Sequence, residues 1–120
     1  MQGLNKVSLI GNLGNDPEHQ ILEAKRSVTK FSLATTETYK DKNGKIQKIT
    51  DWHTVILWGQ LADFASQYLK KGSLVYVEGK LKTRNYDDRD GKRIYVTEVV
   101  GESLILLDKK TEENKLGNDE

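Results

Sequence analysis

Apolar and polar residues alternate with a period of two along most of this chain, the pattern of a strand with one buried and one wet face. The spacing predicts five strands: Lys6–Leu13, Val28–Tyr39, Ile49–Gly59, Ser73–Tyr86 and Lys92–Val100. Gly11 interrupts the first of them and predicts a bulge or sharp bend there. Asn43-Gly44 follows the second strand, and because both residue types tolerate positive φ, a tight hairpin turn belongs at that pair. The segment DDRDG, residues 87–91, marks a second turn, and the apolar run SLILL, residues 103–107, extends the sheet after the fifth strand.

The period changes once. In QLADFASQYLKKG, residues 60–72, Leu61, Phe64, Ala65, Tyr68 and Leu69 fall on one face of a helix, with Gly72 where a C-cap would stand. A chain of 120 residues with 36% hydrophobic content supports one core. Three strands, a helix and two more strands around one core describe an all-β OB-fold. It is a five-stranded barrel over residues 1–107 with one short α-helix between strands 3 and 4, an architecture that binds oligonucleotides and oligosaccharides. Residues 108–120, DKKTEENKLGNDE, have no periodicity and read as a flexible, mildly acidic tail.

Charge sharpens this division. The whole chain carries +1, but the tail holds five acidic against three basic residues, which leaves the body mildly basic. There is no cysteine, so disulfides and thiolate metal sites are excluded and a reducing cytoplasm suits the chain. No stretch approaches the roughly 20 apolar residues of a membrane span.

Fold alone does not give function, so the faces of the strands carry the argument. On the third strand Val55 and Leu57 share one face while Trp52, Thr54, Ile56 and Trp58 share the other. A small barrel has room for one apolar lining, which Val55 and Leu57 supply, so both tryptophans point outward. On the fourth strand Val75, Val77, Gly79, Leu81 and Thr83 read as inward, leaving Tyr76, Glu78, Lys80, Lys82, Arg84 and Tyr86 outward. Tyr39, beside Lys40 and Lys42, and Tyr86, beside Arg84, stand at hairpin tips that read as arms of the same surface. Aromatic rings interleaved with cations suit an unpaired nucleic acid, whose bases stack on rings at about 1–3 kcal/mol each while lysine and arginine neutralise phosphates. Trp52 and Trp58 are six residues apart along one strand, roughly 20 Å, so each ring stacks a different nucleotide.

The segments LNKVSLIGNLGNDPE, FSLATTETYKD, DWHTVILWGQLADFASQYLKKGSLVYVEGKLKTRNY and YVTEVV, in this order and spacing, resemble the bacterial single-stranded DNA-binding protein family from residue 3 to about 107. The resemblance implies an OB-fold that assembles usually as a homotetramer and wraps unpaired DNA without sequence preference. It also implies protection of that DNA during replication, recombination and repair, in the cytoplasm at the nucleoid. By resemblance the stacking aromatics are Tyr39, Trp52, Trp58 and Tyr86; many relatives carry Trp at the first and last of these, which implies weaker stacking there. The matching phosphate contacts are Lys6, Lys42, Lys70, Lys71, Lys82 and Arg84, whereas Thr54, Gln60 and Asn85 stand where well-known relatives are basic. His53 and Tyr76 are implied subunit contacts, although the residues alone read His53 as a satisfied structural histidine and leave the outward Tyr76 ring open to a base as well as to another subunit. Relatives commonly end in a Gly- and Gln-rich linker and an acidic tip closed by Pro-Phe that recruits replication and repair proteins. TEENKLGNDE is acidic but has neither Pro nor Phe, so the tail gives such partners no support.

Competing readings find less. Asp87, Asp88 and Asp90 cluster as a cation site would, and are the only support for a metal-dependent nuclease. A hairpin tip explains them better, and the glutamate that closes a calcium loop is missing. GNLGND lacks the Gly-Lys-Ser/Thr ending of a phosphate loop. His19 and His53 are far apart, and no nucleophile motif accompanies them. No enzyme and no cofactor is expected. An accessory OB-fold subunit of replication restart, acting mainly through protein interactions, is the alternative.

Overall fold

Turn chemistry sets the register of the strands. In the structure, a computed structural model that describes residues 2–108, the Asp41 carboxylate accepts hydrogen bonds from the backbone amides of Asn43 and Lys45, both at 2.9 Å. The Asp41 amide closes onto the Lys45 carbonyl, so the turn falls at the expected Asn43-Gly44 pair, with Gly44 (φ 80°) as its left-handed residue. The same arrangement recurs at Asp88–Lys92, with Gly91 (φ 77°) as the left-handed residue. Each turn folds two long strands into a ribbon: β3 (Arg26–Lys40) with β4 (Ile46–Trp58), and β5 (Leu74–Asp87) with β6 (Arg93–Leu106).

The first strand, β1 (Val7–Leu13), closes the barrel. It pairs with β5 from Val7 opposite Gly79 to Asn12 opposite Leu74, while Asn12 and Leu13 also pair with Ala34 and Leu33 of β3. Gly11 makes the crossing possible, since a Cβ there would collide with the Ala34 carbonyl. Its register with β5 is unbroken, so Gly11 is a point of close approach and not a bulge. The bulge lies instead in β6 opposite Glu78 and Gly79, where the pairing steps from Ser103 to Gly101. The sheet order is β1-β5-β6-β4-β3-β2, with β1–β3 pairing closing β1, β3, β4, β5 and β6 into a ring, and β4 runs parallel to β6.

Phe31, Leu33, Val55, Leu57, Val75, Val77 and Val99 fill the barrel, as alternation requires of one face of each strand. The inward face of β5 stops at Gly79; Leu81 and Thr83 are exposed, because the β5–β6 ribbon leaves the barrel there, and this corrects their placement in the lining. The helix α1 (Gln60–Tyr68) caps one end with Ala62 and Ala65, followed by Leu69, while Phe64 and Tyr68 stack on each other outside, centroids 4.9 Å apart. Of the expected face, Leu61, Ala65 and Leu69 do meet the core, but Phe64 and Tyr68 do not and Ala62 takes their place, because small side chains bring the helix backbone close to the barrel mouth. The helix also ends before the expected cap: Leu69 is already extended, and Gly72 (φ 92°) belongs to a turn in which the Ser73 amide bonds the Lys70 carbonyl.

An unexpected strand, β2 (Glu18–Leu22), adds to the outer edge of β3. Buried Thr29 donates its hydroxyl proton to the Ala62 carbonyl at 2.8 Å, so toward His19 Nδ1, at 2.9 Å, it acts as acceptor. That chain of bonds ties β2 to the helix. Apart from Asp108, whose carboxylate accepts from the Leu74 amide at 2.6 Å, the expected tail lies outside the described residues.

Candidate nucleic-acid interface

Outward parity on three strands converges on one groove. The parallel step that pairs Ile56 with Val100 aligns the outer face of β4 with that of β6, and the β5–β6 ladder then sets Lys80 opposite Val100 and Lys82 opposite Glu98. The result is a groove of about 380 Å³ between Trp58 and Ile56 on one side and Lys80, Lys82 and Arg84 on the other, floored by Glu98 and Val100. Among the described residues Lys80 and Lys82 have no ion-pair partner, so their charge is directed at solvent.

Arg84 differs from them. Its Nε and Nη2 donate to the two carboxylate oxygens of Glu98 at 3.0 and 3.2 Å, and Glu98 is only 3% exposed. The hydrogen bonds to Glu98, and then its charge, raise the Arg84 pKa above its already high ordinary value. A buried carboxylate requires such a partner. The guanidinium is thus held flat at the groove wall, with about half of its side chain still exposed (52%).

The rings differ in setting. Trp58 is 38% exposed, and the Arg26 guanidinium carbon lies 4.5 Å from its ring centroid. Trp52, 62% exposed, lies against the backbone of Gly14, where any Cβ would collide with the ring. Tyr86 shares the outward face of Lys82 and Arg84 and sits opposite Ile94 near the end of its ribbon. Tyr39 is also exposed, but the β3–β4 register is unbroken and sets it opposite Gln47, on the reverse face of the ribbon from Trp52. Tyr39 and Trp52 are thus on opposite faces of the β3–β4 ribbon: the even-numbered face of β4 carries Trp52, and odd-numbered Tyr39 pairs with the other face.

The remaining expected cations are dispersed. Lys42 is exposed in the Asp41 turn. Lys70 and Lys71 lie in the loop after α1, where the Gly72 amide bonds the Leu13 carbonyl next to Gly14 and the Lys71 amide bonds Asp16 at 2.8 Å. That loop stands at the Trp52 end of the molecule and outside the Trp58 groove. Lys6 faces the Glu78 carboxylate at 3.4 Å, and the Tyr76 hydroxyl donates to the same carboxylate. These contacts, the Tyr76 bond foremost, lower the Glu78 pKa. His53 is half-buried at the root of the β3–β4 ribbon, with Nε2 2.9 Å from the Thr35 hydroxyl. Tyr76 stands between Ile10 on β1 and Ile105 on β6, both exposed.

The aspartates of the second turn are engaged locally. Asp88 accepts from the amides of Asp90 and Lys92, and Asp87 faces Arg93 at 3.5 Å. No group of metal-binding side chains occurs among the described residues, and no helix there is long and apolar enough to cross a membrane. The residue that sequence reasoning missed is Arg26. Its signal was present, because a register continued unbroken from the Asp41–Lys45 turn sets Val28 opposite Trp58, with Arg26 two residues further along on the same face.

Comparison with known proteins agrees with this geometry. A family model described as "Single-strand binding protein family" matches residues 4–107. The chain is 51% identical over 110 residues to Single-stranded DNA-binding protein 1 of Chlorobaculum tepidum, covering 91% of this chain and 68% of that protein. It is 44% identical over 119 residues to Single-stranded DNA-binding protein 1 of Xylella fastidiosa, covering 98% and 88%. Among solved structures, the Plasmodium falciparum SSB complex with ssDNA superposes with a TM-score of 0.82 at 37% identity, covering 90% of this chain and 98% of that one.

Proposed function

The chain belongs to the single-strand binding protein family, and from that membership we propose how it holds its ligand. It binds single-stranded DNA by stacking and charge, with no chemical step. The observation that carries this reading is the groove whose one wall is Trp58 and whose other wall is Lys80 and Lys82, cations unpaired among the described residues. A base lies against the ring while the phosphates beside it are neutralised by the lysines. Trp52 and Tyr86 take bases to either side of the groove, with Lys70 and Lys71 serving the Trp52 end. Tyr39, on the reverse face of the β3–β4 ribbon from Trp52, and Lys42, in the turn at its tip, engage a strand that wraps around the arm. Lys6 contributes charge beside Glu78, and Arg84 offers a flat guanidinium fixed by Glu98 and not a free charge. The protein protects unpaired DNA during replication, recombination and repair at the nucleoid in the cytoplasm.

Assembly belongs to the same proposal. On the side away from β5, β1 pairs among the described residues through Asn12 and Leu13 alone, so residues 7–10 present a free strand edge beside the exposed side chains of Ile10, Tyr76 and Ile105. A second copy of the chain covers both, with Tyr76 in the contact and His53 at its margin, in a homo-oligomer that reaches a tetramer.

Intrinsic tryptophan fluorescence tests the binding reading. Oligothymidine is expected to quench it strongly, the apparent affinity falling as salt rises, whereas a duplex of equal length leaves it nearly unchanged. Absence of quenching by the single strand defeats the stacking geometry.

A further inference from the structure

A second concavity lies on the other side of Trp58. Its volume is about 480 Å³, and its walls are Lys25, Arg26, Ser27, Trp58 and the start of α1 at Gly59 and Gln60, with Asp63 at the rim. Trp58 lines both this cavity and the groove over Lys80 and Lys82, so the ring is the partition between them. Arg26 lies over the ring at 4.5 Å, and neither Arg26 nor Lys25 has an ion-pair partner among the described residues. Asp63 is 3.9 Å from His19 Nε2 and is the one carboxylate facing two cations.

The backbone that delivers the two cations is under strain. Ala24 (φ 63°) and Lys25 (φ 58°) are consecutive left-handed residues and neither is glycine, a conformation that costs on the order of 1 kcal/mol or more for each. The chain turns sharply there and re-enters the sheet at Arg26, beside Trp58.

We propose that Lys25 and Arg26 form an additional phosphate site, which receives the phosphodiester next to the base stacked on Trp58 and leads the bound strand on over the start of α1. This rests on the single-stranded DNA reading above. The cavity suits a phosphate better than a base, because among its lining residues the charges without an ion-pair partner in the described structure are the two cations, Ser27 and Gln60 are neutral hydrogen-bonding groups, and its ring, Trp58, is already covered in part by Arg26. The bound strand therefore does not end at Trp58; the ring divides two adjacent steps of one path, a base on the groove side and a phosphate beyond it.

The test is the salt dependence of binding, read by anisotropy of a fluorescein-labelled oligothymidine so that changes around Trp58 do not disturb the signal. Each cation that neutralises a phosphate on a single strand contributes about 0.7 to the slope of log affinity against log salt. Lys25→Ala and Arg26→Ala are each expected to reduce the slope by about 0.7, the double variant by about 1.4, and Arg26→Lys to keep it. A double variant with the wild-type slope overturns the proposal even where its affinity drops, because that drop reports a disturbed Trp58. An Arg26→Lys slope equal to that of Arg26→Ala overturns it as well. Thermal melting of each variant checks that the fold persists, and Lys25→Gly, which removes the charge and relieves the backbone, is expected to match Lys25→Ala in slope. Wild-type protein that binds no oligothymidine defeats the underlying single-stranded DNA reading, an outcome distinct from an unchanged slope in the variants.

Discussion

Trp52 and Trp58 share a strand and a face but not an environment, and single substitutions separate their roles. Replacing either with Ala removes one stacking plate, at about 1–3 kcal/mol or roughly 5- to 150-fold in affinity for oligothymidine. Stability falls by less than about 1 kcal/mol, because neither ring belongs to the core. Phe31→Ala, by contrast, empties a fully buried site and costs about 3–5 kcal/mol. Thermal melting of the three variants checks this: tryptophan variants that melt as early as Phe31→Ala place the rings in the core. Gly14→Ala acts through Trp52, since a Cβ there collides with the ring. It is expected to weaken binding by itself yet to add little in the Trp52→Ala background, a coupling that a double-mutant cycle measures. Additive losses mean that Gly14 acts elsewhere. Alternation alone was enough to turn both rings outward, because parity needs only the sequence. The burial of Glu98 under Arg84 was not legible, since it depends on how three strands curve together, and a reading of β5 by itself counts Arg84 as a free charge.

Each ribbon depends on an aspartate that shapes its turn, and the two turns, DKNGK and DRDGK, differ at only two positions. The Asp41 carboxylate sits below its ordinary value of 3.8, chiefly because the Lys45 amide donates to it, with the Gln47 side chain next. A carboxylate with a depressed pKa stabilises the turn above its ordinary range, and that contribution is lost as pH falls through the lowered value. The amide resonances of Asn43 and Lys45 should therefore titrate with a midpoint below 3.8 while those of the barrel stay fixed. A midpoint at or above the ordinary value contradicts the bonding. Asp41→Ala is expected to speed amide exchange at Lys45 and leave exchange in the barrel unchanged. The hairpins were legible because Asp, Asn and Gly have few other uses between alternating strands. β2 was not: every residue of Glu18–Leu22 is exposed, so no buried face imposes a pattern. The helix was found by its period, and Leu61, Ala65 and Leu69 of its expected face meet the core, but hydrophobicity favours Phe64 and Tyr68 where the barrel mouth takes the smaller Ala62.

A closed barrel satisfies its own strands, which leaves the edge of β1, unpaired among the described residues, and the apolar row Ile10, Tyr76 and Ile105 as features that suit the proposed contact with a second molecule. Tyr76→Arg puts a charge at the centre of that row and near Lys6, the cation already paired with Glu78. It is expected to lower the mass measured by sedimentation equilibrium without lowering the melting temperature by more than a few degrees, since Tyr76 is outside the core. The effect on binding depends on oligomer length through effective concentration. The proposed path on one subunit runs past Trp52, Trp58 and Tyr86, so an oligothymidine long enough for that path alone is expected to bind wild type and variant almost equally. A strand long enough to reach a second subunit meets its next groove intramolecularly, and the wild-type oligomer gains about 10²- to 10⁴-fold over one site. The dissociated variant is expected to lose that gain and to keep the short-strand affinity. Equal losses on short and long strands mean that Tyr76 acts on the groove itself, and a wild-type protein of monomer mass removes the second subunit from the account.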